Sequence, residues 1–318
     1  MKTVILDAFA ANPGDLSWDG MREFGELVVY ERTAPEQLLE RAAGAEVLLT
    51  NKVIIDAPAM EALPQLRYIG VLATGYNVVD IAEAHRRGIV VTNIPAYSTM
   101  SVAQTVMAHL LNITNQVALH AEAVRAGEWQ TSPDFSFTKA PLLELDGMTF
   151  GIVGLGNTGM ATARMAQAMG MRVMAVSSKS AEQLAELGIR KASGYEQLFG
   201  EADVLSLHCP LTDETHHLVN RERLALMKPT AILINTGRGP LVDEQALADA
   251  LKAGQLYAAG VDVLTQEPPR QGSPLIDAPH CYITPHIAWA SKAARSRLID
   301  IATGNIKAFL EGEERNRV

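Results

Sequence analysis

Three short clusters in the second half of the chain carry side chains suited to anion binding and proton transfer. They are Asn235-Thr236-Gly237-Arg238-Gly239, Asp262-Val263-Leu264-Thr265-Gln266-Glu267-Pro268 and Pro285-His286-Ile287-Ala288-Trp289. Each follows an apolar run that reads as a strand, and in an open parallel sheet ligands collect at the carboxyl ends of the strands. A guanidinium such as that of Arg238 holds a carboxylate by two parallel hydrogen bonds. An imidazole beside a carboxylate is favoured in its protonated form, so His286 paired with Glu267 would be a general acid near neutral pH. Taken singly, each has an ordinary explanation: Arg238 as a surface ion pair, Glu267 as a solvated loop acid, His286 as a core histidine with its hydrogen bonds satisfied.

A fourth cluster lies upstream, Gly154-Leu155-Gly156-Asn157-Thr158-Gly159. It follows the apolar run Thr149–Val153 and opens an Ala/Met-rich helical stretch, after which comes a second apolar run, Arg172–Val176. In that strand, turn, helix, strand context the glycines have separate tasks. Gly154 permits the tight turn, Gly156 lets a pyrophosphate approach the backbone, and Gly159 lets the helix pack on the strand. The helix N-terminus, at Asn157 and Thr158, then offers free N–H groups to phosphate. A site that selects NAD usually ends the second strand with Asp or Glu, which accepts from the ribose hydroxyls. Here the strand runs into Ser177-Ser178-Lys179. With no like charge to repel a 2′-phosphate and three donors to meet it, the reading is NADP, with NAD also usable.

The elements that must position these residues are legible as β/α alternation. Val4–Leu6, Leu27–Tyr30, Glu46–Thr50, Arg67–Leu72 and Ile89–Val91 read as strands, with Pro35–Ala43 and Val79–Arg87 as helices between them. A long helix is expected from Ser98 to about Gly127, on the stripe Val102, Val106, Leu110, Ile113 and Val117, and Trp129–Leu145 reads as an irregular arm. The alternation then resumes through strands Asp203–His208, Ala231–Asn235, Ala258–Val263 and Tyr282–Thr284, with helices Tyr195–Phe199, Arg221–Met227 and Asp243–Ala253 between them, and a final helix is expected at about Lys292–Glu311. This pattern is α/β, with two doubly wound parallel sheets. The expected division is residues 1–97 and 288–318 in one domain and 98–287 in a dinucleotide-binding domain.

Composition bounds the function classes. At 318 residues, 48% hydrophobic and 20% charged, two globular domains are expected. No apolar run approaches the roughly 20 residues of a membrane span, and Val4–Leu6 is too short for a signal peptide, so a cytoplasmic location is expected. A formal charge of −9 argues against nucleic acid as a partner. Cys209 and Cys281 have no metal-ligand spacing, and adjacent His216 and His217 would point apart on a helix or strand, so no metal site is expected. His85, His109 and His120 receive no role.

Together with Ala73-Thr74-Gly75-Tyr76-Asn77, Asn93-Ile94-Pro95 and Leu207-His208-Cys209-Pro210-Leu211-Thr212, these clusters make the chain similar, over nearly its whole length, to the D-isomer-specific 2-hydroxyacid dehydrogenases. The resemblance implies a Rossmann dinucleotide-binding domain inserted in a flavodoxin-like substrate domain, with Arg238, Glu267 and His286 as the catalytic set. It further implies that Asn51, Lys52, Thr74, Gly75 and Arg238 bind substrate. It assigns Thr105, His208, Cys209, Pro210, Thr215, Thr236, Gly237, Asp262 and His286 to the cofactor, with Asp262 at the nicotinamide carboxamide. Within the family, Thr92–Ser98, Asn51-Lys52 and His286–Trp289 look most like the glycerate dehydrogenase, or hydroxypyruvate reductase, branch. The reaction implied is reduction of hydroxypyruvate or glyoxylate to the D-2-hydroxy acid. Alternatives are lactate, phosphoglycerate, phosphite or formate as substrate, or a dinucleotide-sensing module like the corepressors that resemble this family. A homodimer is expected, through the long helix and the Trp129–Leu145 arm.

Overall fold

Strands Val47–Thr50 and Tyr68–Val71 are buried at every position, as strands covered on both faces must be. They sit in the middle of a five-stranded sheet that belongs to one of two units, Met1–Ser98 with Ala290–Val318. The other unit is Thr99–Trp289. This is a computed structural model, and it describes all 318 residues.

The first unit contains β1 (Lys2–Ile5), α1 (Asp19–Arg22), β2 (Glu26–Val29), α2 (Leu38–Ala42), β3 (Val47–Thr50), α3 (Ala57–Glu61), β4 (Tyr68–Val71), α4 (Ile81–Arg86) and β5 (Val90–Thr92). Its strands are all parallel in the order β2-β1-β3-β4-β5, the order of flavodoxin-like folds. Helices α3 and α4 start where Asp56 and Asp80 accept from the backbone N–H of Ala59 and Glu83. A core of Val4, Leu6, Leu48, Ile69 and Val91 meets Leu38, Ala42 and Ala84 from the helices. The expected helix Pro35–Ala43 begins as a short 3-10 turn, Pro35–Gln37, before α2.

The second unit starts with α5 (Thr99–Asn115) and α6 (Val117–Arg125). These correct the single long helix: Gln116 adopts φ +46° and breaks it. The stretch Asn112–Gln116 is rich in polar side chains that bond locally, and the Thr114 hydroxyl turns back onto the Leu110 carbonyl and the Asn115 side chain. Val117, read as part of the apolar stripe, is 70% exposed as a result. After the irregular segment come β6 (Thr149–Val153), α7 (Asn157–Ala168), β7 (Arg172–Val176), α8 (Ala181–Ala185), β8 (Ile189–Lys191), α9 (Tyr195–Glu201), β9 (Val204–Leu207), α10 (Arg221–Leu224), β10 (Ile232–Asn235), α11 (Glu244–Lys252), β11 (Ala258–Val261) and β12 (Cys281–Ile283). The seven strands are parallel in the order β12-β11-β10-β9-β6-β7-β8, a Rossmann arrangement with one added edge strand. Elements α8 and β8 are too short to show a periodicity and were not expected.

The helix Lys292–Glu311, α12, belongs to the first unit. Its buried face, Ala294, Leu298, Ile299, Ala302 and Ile306, covers the sheet beside α1, and Phe309 packs on Tyr68 with ring centroids 5.0 Å apart. No helix is long and apolar enough to cross a membrane.

Candidate active site

Because β10, β11 and β12 are neighbours in the sheet, the loops that leave their carboxyl ends fan out over only about 10 Å, two strand spacings. Two of these loops are in direct contact. A Cβ on Gly239 would lie 2.0 Å from the Leu264 carbonyl carbon, so only glycine lets the Arg238 loop close on the loop that follows β11. Asn235 sets the Arg238 loop from within: it is buried, its amide donates to the Arg238 carbonyl at 2.8 Å, and its side-chain oxygen accepts from Gly237 N–H at 3.0 Å. The Arg238 side chain is exposed, its guanidinium donates to the Gly237 carbonyl, and it pairs with no protein acid. Its ordinary explanation, a surface ion pair, does not apply.

On the next two loops, His286 Nδ1 lies 2.6 Å from Glu267 Oε2, and Glu267 Oε1 accepts from Leu264 N–H at 2.9 Å. Both carboxylate oxygens are thereby fixed, and Nε2 is the imidazole nitrogen left for a bound molecule. The pair is about one-third exposed, 31% for His286 and 33% for Glu267, so it faces solvent rather than the core. Asp262 is fully buried behind it. Its carboxylate accepts from Thr284 Oγ1 at 2.5 Å, Ile287 N–H at 2.9 Å and Ala288 N–H at 2.7 Å, which leaves one lone-pair site for another donor.

The residues at the Gly-rich turn fit a dinucleotide. Gly154 has φ +90°, and a Cβ there would lie 2.8 Å from Cys209 N; at Gly159 a Cβ would lie 2.1 Å from the Gly154 carbonyl oxygen. At Gly156, by contrast, nothing lies within 4 Å, so its backbone borders open space where a pyrophosphate would approach. Thr236 Oγ1 is buried with no hydrogen-bond partner, as expected of a group whose partner is a ligand. His208, bonded to Ser206, is held neutral by burial, which pushes its pKa down to about 4, and burial raises the Cys209 thiol. Thr215 uses its hydroxyl within its own loop, donating to the Pro210 carbonyl at 2.7 Å and accepting from Thr212 N–H at 2.7 Å. Thr105 bonds back to the Ser101 carbonyl. At the end of β7, Ser177 Oγ accepts from Lys179 N–H at 3.2 Å, and Lys191 Nζ donates to the Lys179 carbonyl at 2.7 Å. Lys191 escaped the sequence reading because it lies on the unexpected strand β8.

In the first unit the residues expected to bind substrate sit on two loops at carboxyl ends of the sheet. Asn51 is buried and donates to the Leu72 carbonyl at 2.8 Å, so it braces one loop against the other. Thr74 bonds the Ile94 carbonyl, and the Asn93 amide bonds the Thr74 carbonyl, which fixes the Thr74-Gly75 backbone. Lys52 is exposed. Asp7, just beyond the expected strand Val4–Leu6 and given no role there, accepts from the N–H groups of Asn51, Lys52 and Val53 at 2.7, 2.6 and 3.2 Å. Burial pushes its carboxyl above the usual range against the pull of those donors. The reading of His216 and His217 also needs correction: their rings stack 4.0 Å apart, because His217 has φ +48°. No group of three His, Cys, Asp or Glu side chains is arranged to hold a metal ion.

This arrangement has counterparts in known proteins. The family model for the D-isomer specific 2-hydroxyacid dehydrogenase NAD binding domain matches residues 107–288. The chain belongs to this family. Among its dehydrogenase relatives, a hydroxypyruvate reductase from Blautia hydrogenotrophica is 45% identical, with 100% of this chain and 99% of the relative covered. A glycerate dehydrogenase from Methylorubrum extorquens is 41% identical, with 94% of each covered. Among solved dehydrogenase structures, an NADPH-dependent glyoxylate/hydroxypyruvate reductase from Sinorhizobium meliloti in complex with NADP and malonate matches with TM-score 0.82 at 30% identity, covering 100% of this chain and 96% of that one.

Proposed function

We propose that this dehydrogenase reduces a small 2-oxo acid, hydroxypyruvate or glyoxylate, to the D-2-hydroxy acid, with NADP preferred over NAD. The observation that carries the reading is a charge arrangement: His286 is anchored to Glu267 at 2.6 Å, while the neighbouring Arg238 has no acid of its own. An arginine left without a partner beside a fixed histidine suits a substrate that brings its own carboxylate. In the first unit, the N–H groups of Thr74 and Gly75 are assigned to substrate binding. His286, with Nδ1 on Glu267, gives the proton on Nε2 to the carbonyl oxygen, and takes it back as a neutral base in the oxidation direction. When bound, the nicotinamide cofactor supplies the hydride to the carbonyl carbon. The Gly154–Gly159 turn, Thr236 and Asp262 are the residues assigned to hold it.

The cofactor preference rests on what meets a 2′-phosphate. Ser177, Ser178 and Lys179 replace the acid, and Lys191 adds a second ammonium against the same loop. Glu182 opposes them in part, since its carboxyl is held below the usual range by Ser180, its own backbone N–H and Lys191. The net preference expected for NADPH is about ten- to a hundredfold. A homodimer through α5, α6 and the arm is supported by exposed apolar residues there, with Val117 at 70%, Trp129 at 51% and Phe135 at 91%. The two free cysteines fit a reducing cytoplasm.

The test is turnover of NADPH and NADH against hydroxypyruvate, glyoxylate, pyruvate and a phosphorylated 2-oxo acid. Activity confined to the phosphorylated substrate, or none with any, overturns the proposal, and a clear NADH preference overturns the cofactor part.

A further inference from the structure

Helix α5 carries Ser101, Thr105 and His109 at positions i, i+4 and i+8, so the three share one face. Its two outer members both end on the turn that carries His286. Ser101 Oγ donates to the Ala288 carbonyl at 2.7 Å, and His109 Nε2 lies 3.1 Å from Thr284 Oγ1. The hydrogen bonds can be directed from there. The Asp262 carboxylate only accepts, and a hydroxyl has a single proton, so Thr284 gives its proton to Asp262 and its oxygen accepts from His109. His109 is therefore the Nε2–H tautomer. Its ring is 5% exposed, and burial lowers its pKa while the Asp262 charge acts the other way. The place for the ring is made by Gly260 of β11, where a Cβ would lie 2.8 Å from His109 Cβ.

The turn itself stands at φ +54° at His286, a conformation that side chains other than glycine keep only when their surroundings hold it. Asp262 supplies most of that hold, through Thr284, Ile287 and Ala288 on its carboxylate and His286 N–H on its main-chain carbonyl at 2.7 Å. We propose that His109 is a positioning residue for the reaction, acting through Thr284 and Asp262 to fix the turn from which His286 works. The proposal rests on the functional reading above. His109, not His286, is the far end of this chain. It is buried and acts through Thr284, and the residue type is needed there as a neutral N–H donor of fixed direction.

The test uses the intact enzyme with cofactor saturating. His109→Leu and Thr284→Val are each expected to lower kcat about tenfold, within the range of coupled hydrogen-bonded neighbours, with KM for the cofactor little changed. The double variant is no slower than the slower single one, because both break one chain. His109→Gln, which restores an N–H donor, regains most of the rate, whereas a purely space-filling role would favour His109→Leu. Nitrogen-15 NMR of the wild type at about pH 8 is expected to show the ring with its proton on Nε2. Equal rates in the Leu and Gln variants, additive losses in the double variant, or the other tautomer overturn the proposal. Failure of the functional reading looks different: the wild type reduces no 2-oxo acid, while the NMR tautomer, and a shift of the Ile287 and Ala288 amide resonances in Thr284→Val, still report the chain.

Discussion

The two sheets present their carboxyl ends in different chemical forms. In the second unit the loops after β10, β11 and β12 display side chains, Arg238, Glu267 and His286, linked or left open by their own hydrogen bonds. In the first unit the polar side chains turn inward, and what they fix is backbone: Asp7 gathers three N–H groups, Asn51 takes the Leu72 carbonyl, and Thr74 and Asn93 tie one loop to another. Side-chain chemistry gives a proton and a charge at one atom. Fixed backbone gives shape and N–H direction, and it survives most single substitutions.

The largest expected effect separates the two kinds of surface. His286→Ala is expected to lower kcat by about 10²–10⁴-fold, the usual contribution of general acid catalysis, with NADPH still bound in a fluorescence titration. Retained kcat would move the chemistry away from this pair. Arg238→Lys comes next: losing one of two charge-assisted hydrogen bonds, about 1.5–3 kcal/mol, lowers kcat/KM about ten- to a hundredfold. Wild-type kcat/KM in that variant would remove Arg238 from substrate binding. Ser177→Asp is expected to shift the NADPH to NADH ratio of kcat/KM about tenfold or more toward NADH. No shift would mean that Ser177 does not face the ribose.

For the first unit the sharpest probe is Asp7→Ala, which orphans three N–H groups. It is expected to cost about 1–3 kcal/mol of stability and to raise KM for the oxo acid with kcat little changed. A fall in kcat with unchanged KM would erase the contrast between the units. The smallest effect is one of pH. Burial depresses the pKa of His208 from 6.5 to about 4, and lowers that of His109, both in the second unit. Below pH 6.5 an unfolded chain binds protons that the folded one refuses, so stability present above that pH is lost progressively as pH falls toward 4. Calorimetry should show Tm falling across this window, and less steeply for His208→Gln; an unaltered slope would assign the acid loss to carboxylates.

Much of this was legible because the motifs coincide with local physics. A strand, three glycines and a helix N-terminus form a unit within some thirty residues, so β6 to β7 can be read without knowing the rest of the fold. The family match over residues 107–288 covers the same region. What was hidden depends on partners far along the chain. Asp7 acts on residues more than forty positions away, and His109 on Thr284, 175 positions away. Nothing in the spacing around either residue announces its partner. Lys191 was missed because a three-residue strand has no pattern to detect. The Gln116 break was missed because the apolar stripe continues in sequence after the helix has ended.

The first unit is assembled from both sides of the second. Residues 99–289 form a contiguous segment, whereas the five-stranded sheet is covered by α12, which a ribosome makes only after the whole Rossmann unit. The order in which the units can be completed therefore differs from the order in which they begin along the sequence. Strands β1 to β5 emerge first, yet the face that receives Leu298, Ala302 and Ile306 stays open while nearly two hundred further residues are added. A chain stopped after Trp289 is expected to keep a protease-resistant second unit beside a first unit that is cut readily, and full-length chains should acquire resistance in the first unit last.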